Sequence, residues 1–168
     1  MKRLTLIFAL AIFALPSLAA AAPPKAEQAP TNMVTPEDVK NPKVVFHMKS
    51  NVLNETGIPY VIELAARINN YYKSKKIDAK IKVIVQDEAA YWMLNDTTFK
   101  KEKKGASNKA GAMIESLIQD GVEFEICMFD LKKHSWKPDQ LQAGVRPLMG
   151  ALPRLIELQS KGWVYLSY

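Results

Sequence analysis

The chain is poor in cysteine and histidine: Cys127 stands alone, and His47 and His134 are the only imidazoles. A single thiol cannot close an intramolecular disulfide, and so few soft donors without a spaced carboxylate set exclude the usual zinc or iron frameworks, so no metal site is expected. No Gly-x-Gly-x-x-Gly, no phosphate-binding Gly-Lys-Ser/Thr loop and no Gly-x-Ser-x-Gly elbow occurs, which removes the usual support for nucleotide-dependent and serine-hydrolase chemistry and implies no cofactor. Gly105-Ala106-Ser107-Asn108 reads as a flexible turn before a helix start. Aromatics are absent from the basic runs Lys73-Ser74-Lys75-Lys76 and Lys100-Lys101-Glu102-Lys103-Lys104, so they lack the stacking groups of a nucleic-acid platform and read as solvated charge. Long apolar runs are missing too. Leu4 to Leu15, broken only by Thr5, is too short to span a bilayer comfortably, and the chain is not expected to be an integral membrane protein.

That apolar run has another reading. Lys2 and Arg3 precede it, and Pro16-Ser17-Leu18-Ala19 with Ala20 to Ala22 follows, which is the charge, length and small-residue pattern of an export signal. Residues 1–22 are therefore expected to be a signal peptide cleaved within 19–22, with no cysteine nearby for lipidation, and the mature protein to be soluble and periplasmic. Its loss takes two of the 23 basic residues and none of the 17 acidic ones, leaving a mild positive excess. Residues 23–42, rich in Pro and Ala without apolar period, form an expected flexible lead-in, with a helical turn possible at Thr35-Pro36. The remaining 43–168 suffices for one domain with its own core.

From Lys43 onward short β-branched runs alternate with longer helical patterns. Val44–Met48, Ile81–Val85, Val122–Cys127 and Gly162–Leu166 read as strands, with a weak one near Val145. Ile58–Tyr72 reads as an amphipathic helix with Val61, Leu64, Ala65, Ile68 and Tyr72 on one face. Ala89–Leu94 is a short helical turn, the lysine-rich segment after it a loop, Ala110–Gln119 a helix stopped by Asp120-Gly121, Pro138–Gln142 a brief helical piece, and Leu148–Gln159 a helix interrupted at Pro153. Tyr91-Trp92-Met93 is expected to pack. Strands separated by helix-length crossovers cannot be joined by hairpins, so the fold class is α/β, a three-layer domain with a mostly parallel five-stranded sheet.

Ligands of such sheets bind outside the carboxyl ends of the strands. Cys127 ends a strand and should reach that edge, where the loops beginning at Lys49-Ser50-Asn51 and Gln86-Asp87-Glu88 also open; Ser50 and Asn51 are thereby candidate binding residues. An ordinary thiol with pKa about 8.5 is only a few per cent thiolate at neutral pH, so a reactive Cys127 needs help from Lys132, Lys133, a folded-back His134 or backbone N–H groups, against Glu125 on the same strand face. His47 on its apolar strand is either a satisfied core residue or a proton-transfer aid at the edge. Glu123 and Glu125, two apart, read as a solvated or salt-bridged stripe. Three roles fit a lone exported cysteine: a reactive thiol, a small packing residue, or an intermolecular disulfide.

Lys43-Val44-Val45-Phe46-His47, Ala66-Arg67-Ile68-Asn69-Asn70-Tyr71, Ile81-Lys82-Val83-Ile84-Val85, Gly121-Val122-Glu123-Phe124-Glu125-Ile126-Cys127 and Leu155-Ile156-Glu157-Leu158-Gln159-Ser160-Lys161-Gly162-Trp163-Val164-Tyr165, in that order, resemble the DsrE/DsrF-like family. The resemblance implies a flavodoxin-like fold, a homo-oligomer, and a sulfur relay in which a cysteine at this place carries sulfane sulfur as a persulfide. Cys127 is then the candidate sulfur acceptor, with a sulfur donor or acceptor protein, or a small sulfur anion, as partner. Met128-Phe129-Asp130 directly after it is bulky enough for Phe129 to cover the thiol. The alternative is a non-catalytic periplasmic binding or assembly module in which the cysteine only packs.

Overall fold

The computed structural model describes residues 39–167, so the expected signal peptide, the helical turn at Thr35-Pro36, most of the lead-in, and Tyr168 lie outside the described residues. The five strands are β1 (Lys43–Met48), β2 (Lys80–Val85), β3 (Glu123–Cys127), β4 (Arg146–Leu148) and β5 (Val164–Ser167), and the helices are α1 (Tyr60–Ser74), α2 (Asp96–Glu102), α3 (Gly111–Gln119), α4 (Met128–His134) and α5 (Ala151–Ser160). The strands form one all-parallel sheet in the order β4-β3-β2-β1-β5. The chain thus steps outward from β1 to β4, then returns to lay β5 on the other side of β1.

The period of two along each strand divides the domain into unequal halves. Val44, Phe46 and Met48 of β1, Ile81, Val83 and Val85 of β2, and Phe124 and Ile126 of β3 face the larger core, where α1, α3 and α4 contribute Val61, Ile62, Ala65, Ile114, Leu117 and Leu131. Val45, Ile84 and Cys127 face the other way, onto Ala151, Leu155 and Leu158 of α5. Among the described residues α5 is the only helix contributing to that smaller cluster. This face also carries the charged Lys82, Glu123 and Glu125 of the central strands and His47 of β1.

Local chemistry explains where the elements differ from expectation. Helix α1 begins at Tyr60 rather than Ile58 because Ile58 precedes Pro59, and a residue before proline is pushed out of the helical region. The lysine-rich segment is not all loop: Asn95 caps α2 by accepting from Thr98 N–H at 2.9 Å, Asp96 sits in the first turn and Lys100 and Lys101 in the last, a charge order matched to the helix dipole. Pro153 does not interrupt α5. It occupies the first turn, where its missing N–H has no intrahelical partner to lose. The weak strand near Val145 is β4, paired to β3 through Glu125 with Arg146 and Cys127 with Leu148. Gly121, with φ of 92°, follows α3 as its expected stop.

Gly144 turns the chain into β4 with φ of +88°, and a Cβ there would lie 2.7 Å from Ile118 Cγ2. Gly144→Ala combines a disfavoured backbone with a clash against a branched side chain. We expect a loss of about 1–3 kcal/mol, read as a lower urea midpoint with an unchanged m-value; an unchanged midpoint would show that the turn and Ile118 yield freely.

Candidate functional site

Cys127 is the last residue of β3 and the N-cap residue of α4, with its backbone extended (φ −63°, ψ 126°). The abrupt change from strand to helix puts the thiol at the carboxyl edge of the sheet, as the sequence requires, but not in the open. Cys127 is free and only 5% exposed. Phe129 is not its cover: that ring is 63% exposed and reaches the Gly150 backbone region instead. The thiol is roofed by Ala151 and Leu155 of α5, with Leu148 of β4 packed alongside. Sequence could not show this, because the roof comes from a helix that starts two dozen residues downstream, after the neighbouring strand β4.

His47 lies on the same sheet face, in the row His47–Ile84–Glu125. It is therefore two strands from Cys127 and one pleat earlier, about 10 Å in the pairing direction alone, too far for direct proton transfer to the thiol. Its Nδ1 shares a 2.9 Å hydrogen bond with the Tyr165 hydroxyl, and its buried Nε2 has no partner among the described residues. Burial holds its pKa below the ordinary imidazole value, Lys49 adds to the depression, and Asp87 opposes it. Lys132 and His134 are in the last turn of α4, about 8–10 Å along the axis from Cys127. His134 does not fold back toward the thiol. It stacks on Trp136 with centroids 4.4 Å apart and lies 3.4 Å from the Tyr91 hydroxyl. Asn51 accepts from the Trp92 indole N–H at 2.9 Å, and Ser50 is half-buried at the head of the same loop. The structure thus brings Cys127 to the edge without gathering His47, Ser50, Asn51, Lys132 and His134 around it.

Two groups at this edge, read from the sequence only as part of a loop and of the bulky segment after Cys127, engage each other. Asp87, two residues past the end of β2, has φ of 56°, a left-handed conformation costly for a non-glycine residue. It is fixed there by its N–H donating to Asp130 Oδ2 at 3.1 Å. Asp130, three residues past Cys127, is 5% exposed, and burial raises its pKa, with the Asp87 charge acting in the same sense and the Asp87 N–H in the opposite one. The edge therefore contains a buried carboxyl that holds a proton more readily than a surface aspartate.

Glu125 is held by charge. Arg154 grips it through Nε to Oε2 at 2.8 Å and a second nitrogen to Oε1 at 3.0 Å, and Lys82 Nζ approaches Oε1 at 3.3 Å. Arg146 bridges Glu125 and Glu123, and Arg154 also reaches Glu157 at 2.8 Å. The salt-bridged stripe expected from Glu123 and Glu125 is present, and Glu125 does not face the thiol as an unpaired anion. Hydrogen bonds from Lys161 and Arg154 push Glu157 down to about 2. Burial lowers Lys82 despite the pull of Glu125. Among the described residues no group of His, Cys, Asp and Glu is arranged to hold a metal, and no helix is long and apolar enough to cross a membrane.

The sequence profile of the DsrE/DsrF-like family matches residues 43–168. No curated protein matches in sequence. Among solved structures, a protein of unknown function from Methanobacterium thermoautotrophicum, MTH1491, is similar with a TM-score of 0.60 at 20% identity, over 76% of this chain and 100% of that one. The ychN protein from E. coli is similar with a TM-score of 0.57 at 16% identity, over 76% of this chain and 99% of that one. At these identities the likeness is one of fold.

Two measurements check the site. Because the folded chain binds a proton at His47 less tightly than the unfolded chain, its contribution to stability is full above pH 6.5 and is lost as pH falls through the lower folded-state pKa. The urea midpoint should fall from about pH 7 to about pH 5, and His47→Gln should flatten that fall; an unchanged slope would place the titrating group elsewhere. Native Cys127 should react with iodoacetamide at least roughly tenfold more slowly than in the unfolded chain. Phe129→Ala should leave the native rate nearly unchanged, whereas Leu155→Ala, which empties part of the roof, should raise it. A large acceleration in Phe129→Ala would restore the phenylalanine as the cover.

Proposed function

Since the chain belongs to the DsrE/DsrF-like family, whose relation to sulfur relay is general, we propose that it is an exported sulfur carrier in which Cys127 accepts sulfane sulfur. The observation that carries this reading is the position of its only thiol, at the junction of β3 and α4 on the carboxyl edge of the sheet. Export from the 1–22 segment makes a periplasmic site of action part of the proposal, and puts an unpaired cysteine where disulfide formation would otherwise claim it.

The chemistry needs few groups. The Cys127 thiolate attacks a terminal sulfane sulfur of a polysulfide; the new S–S bond forms as the neighbouring S–S bond breaks, and the shortened polysulfide leaves with the electron pair. An acceptor thiolate then attacks the outer sulfur of the persulfide and returns Cys127 to its thiolate. The thiol proton goes to solvent. Exposed Lys132 and Lys133 on α4 favour the approach of an anion, at distances where they steer rather than bind. The roof of Ala151 and Leu155 must move for the transfer. Gly150, extended at the head of α5, and the exposed Met149 give that segment little packing to lose.

A second reading is supported by a separate observation. Leu152 and Ile156 on the outer face of α5, and Val164 and Leu166 on the edge strand β5, are all well exposed. Val164 and Leu166 share the register of Val44 and Phe46 on the α1 face, whereas Leu152 and Ile156 lie on the α5 side. Exposed apolar residues thus flank β5, an edge strand among the described residues, from both faces, an arrangement suited to a homo-oligomeric assembly module in which Cys127 would pack and nothing more.

Intact mass of the purified chain after incubation with polysulfide, beside Cys127→Ser, separates the two. A reducible gain of about one sulfur, ~32 Da, on the wild type alone is expected for the carrier. No adduct, with a thiol that resists alkylation until unfolding, would sink that reading and leave the assembly module.

A further inference from the structure

A cavity of about 340 Å³ opens between the loop after β1 and the segment joining α2 to α3, walled by Leu53, Trp92 and Phe99 with Lys103 and Lys109 at its rim and no carboxylate in its lining. We propose that it binds a small organic carboxylate with an apolar body, of the aryl-alkanoate kind. This does not depend on the sulfur chemistry of Cys127: Phe99 belongs to the larger core and Trp92 packs against it, whereas the thiol lies on the α5 side of the sheet.

The walls are set before any ligand arrives. The Trp92 indole N–H donates to Asn51 Oδ1 at 2.9 Å, and its carbonyl accepts from the side chains of Asn108 at 3.0 Å and Gln142 at 2.7 Å. Its ring tilts 41° to that of Phe99, with centroids 5.3 Å apart, and Phe99 is buried. A rigid aromatic wall in a cavity of this size suits a small apolar body, which gains contact area at little ordering cost.

The rim decides the sign of the head group. Lys73, Lys82, Lys100 and Lys161 are each paired with a carboxylate, but neither Lys103 nor Lys109 is paired among the described residues. Lys103 Nζ lies 3.4 Å from the centre of the Tyr91 ring, which fixes the cation without neutralising it. Lys109 folds along Gly57: with φ of +79°, that glycine leaves open a place where a Cβ would lie 3.3 Å from Nζ. Two ammonium groups without a carboxylate partner in the lining of one apolar cavity make its mouth positive, which favours a carboxylate head group while the apolar body fills the space below. A cation or neutral molecule of the same shape gains only the apolar part.

Calorimetric titration with 4-phenylbutyrate, 4-phenylbutanol and 4-phenylbutylammonium tests this, with the Trp92 indole N–H followed by ¹H–¹⁵N NMR and identified through its loss in Trp92→Phe. The carboxylate is expected to bind and shift that resonance, the alcohol to bind roughly fivefold or more weakly, and the ammonium weakest of all. Lys103→Gln with Lys109→Gln, its fold checked by an otherwise unchanged ¹H–¹⁵N spectrum, should bring the carboxylate down to the affinity of the alcohol. No carboxylate binding, equal affinity for all three probes, a shift elsewhere than Trp92, or undiminished binding by the double variant would each overturn the proposal. A variant that retains sulfur loading at Cys127 while losing the carboxylate would show that the two sites are separate.

Discussion

The two-point grip of Arg154 on Glu125 is the contact on which the α5 side of this domain depends. A parallel sheet normally buries both faces under apolar helix surface. Here the second face presents Lys82, Glu123 and Glu125 from its central strands, and their side chains are compensated by Arg146 from β4 and Arg154 from α5. Glu125 and Lys82 have side chains only 6% and 8% exposed, so removing either partner would strand a desolvated charge, a loss of about 3–5 kcal/mol in comparable buried pairs. A well-packed apolar replacement of the whole set would serve stability equally well. What the ions add is register: the forked guanidinium accepts one orientation of α5 over β3.

That orientation determines the state of the thiol. With Arg154 anchored on Glu125, the preceding turn of α5 brings Ala151 over Cys127 and the following residue, Leu155, closes beside it. The cover is thin compared with the layer of helices on the other face. It rests on one small residue, one leucine and one charged anchor, while the outer side of the same helix displays Leu152 and Ile156 to whatever lies beyond. A cysteine placed like this is protected from casual oxidation yet lies one helix shift from the edge, a combination that suits a thiol loaded only by a particular donor as readily as one that packs.

The same separation of faces keeps other chemistry away from Cys127. Asp130 and Asp87 support each other at the edge, His134 is engaged with Tyr91 and Trp136, and Asn51 orients Trp92 on the far side of the sheet. The carboxyl edge is therefore a row of small, separately built environments. The unpartnered Nε2 of His47, beneath Tyr165, belongs to the β1–β5 seam and reports on its packing.

The strands, the larger helices and the α/β class were legible in the sequence because they follow from local rules: side chains two apart share a strand face, those three or four apart share a helix face, and Gly121 stops a helix wherever it is placed. The position of Cys127 at a strand end belongs with these. Helix α4 escaped because its apolar period is too short to register, although Asp130 in its first turn and Lys132, Lys133 and His134 in its last fit a helix dipole. The partners of the thiol and of the charges were out of reach for a different reason. Glu125 meets Arg146 and Arg154 across 21 and 29 residues, and His47 meets Tyr165 across 118. Nothing local says that the chain returns past β1 after β4, or that α5 crosses on the emptier face. Local rules assign residues to strands and helices and put one thiol at a strand end; what covers that thiol follows from the three-dimensional arrangement, because cover is set by the direction of a crossover and by ion pairs whose members are chosen in space.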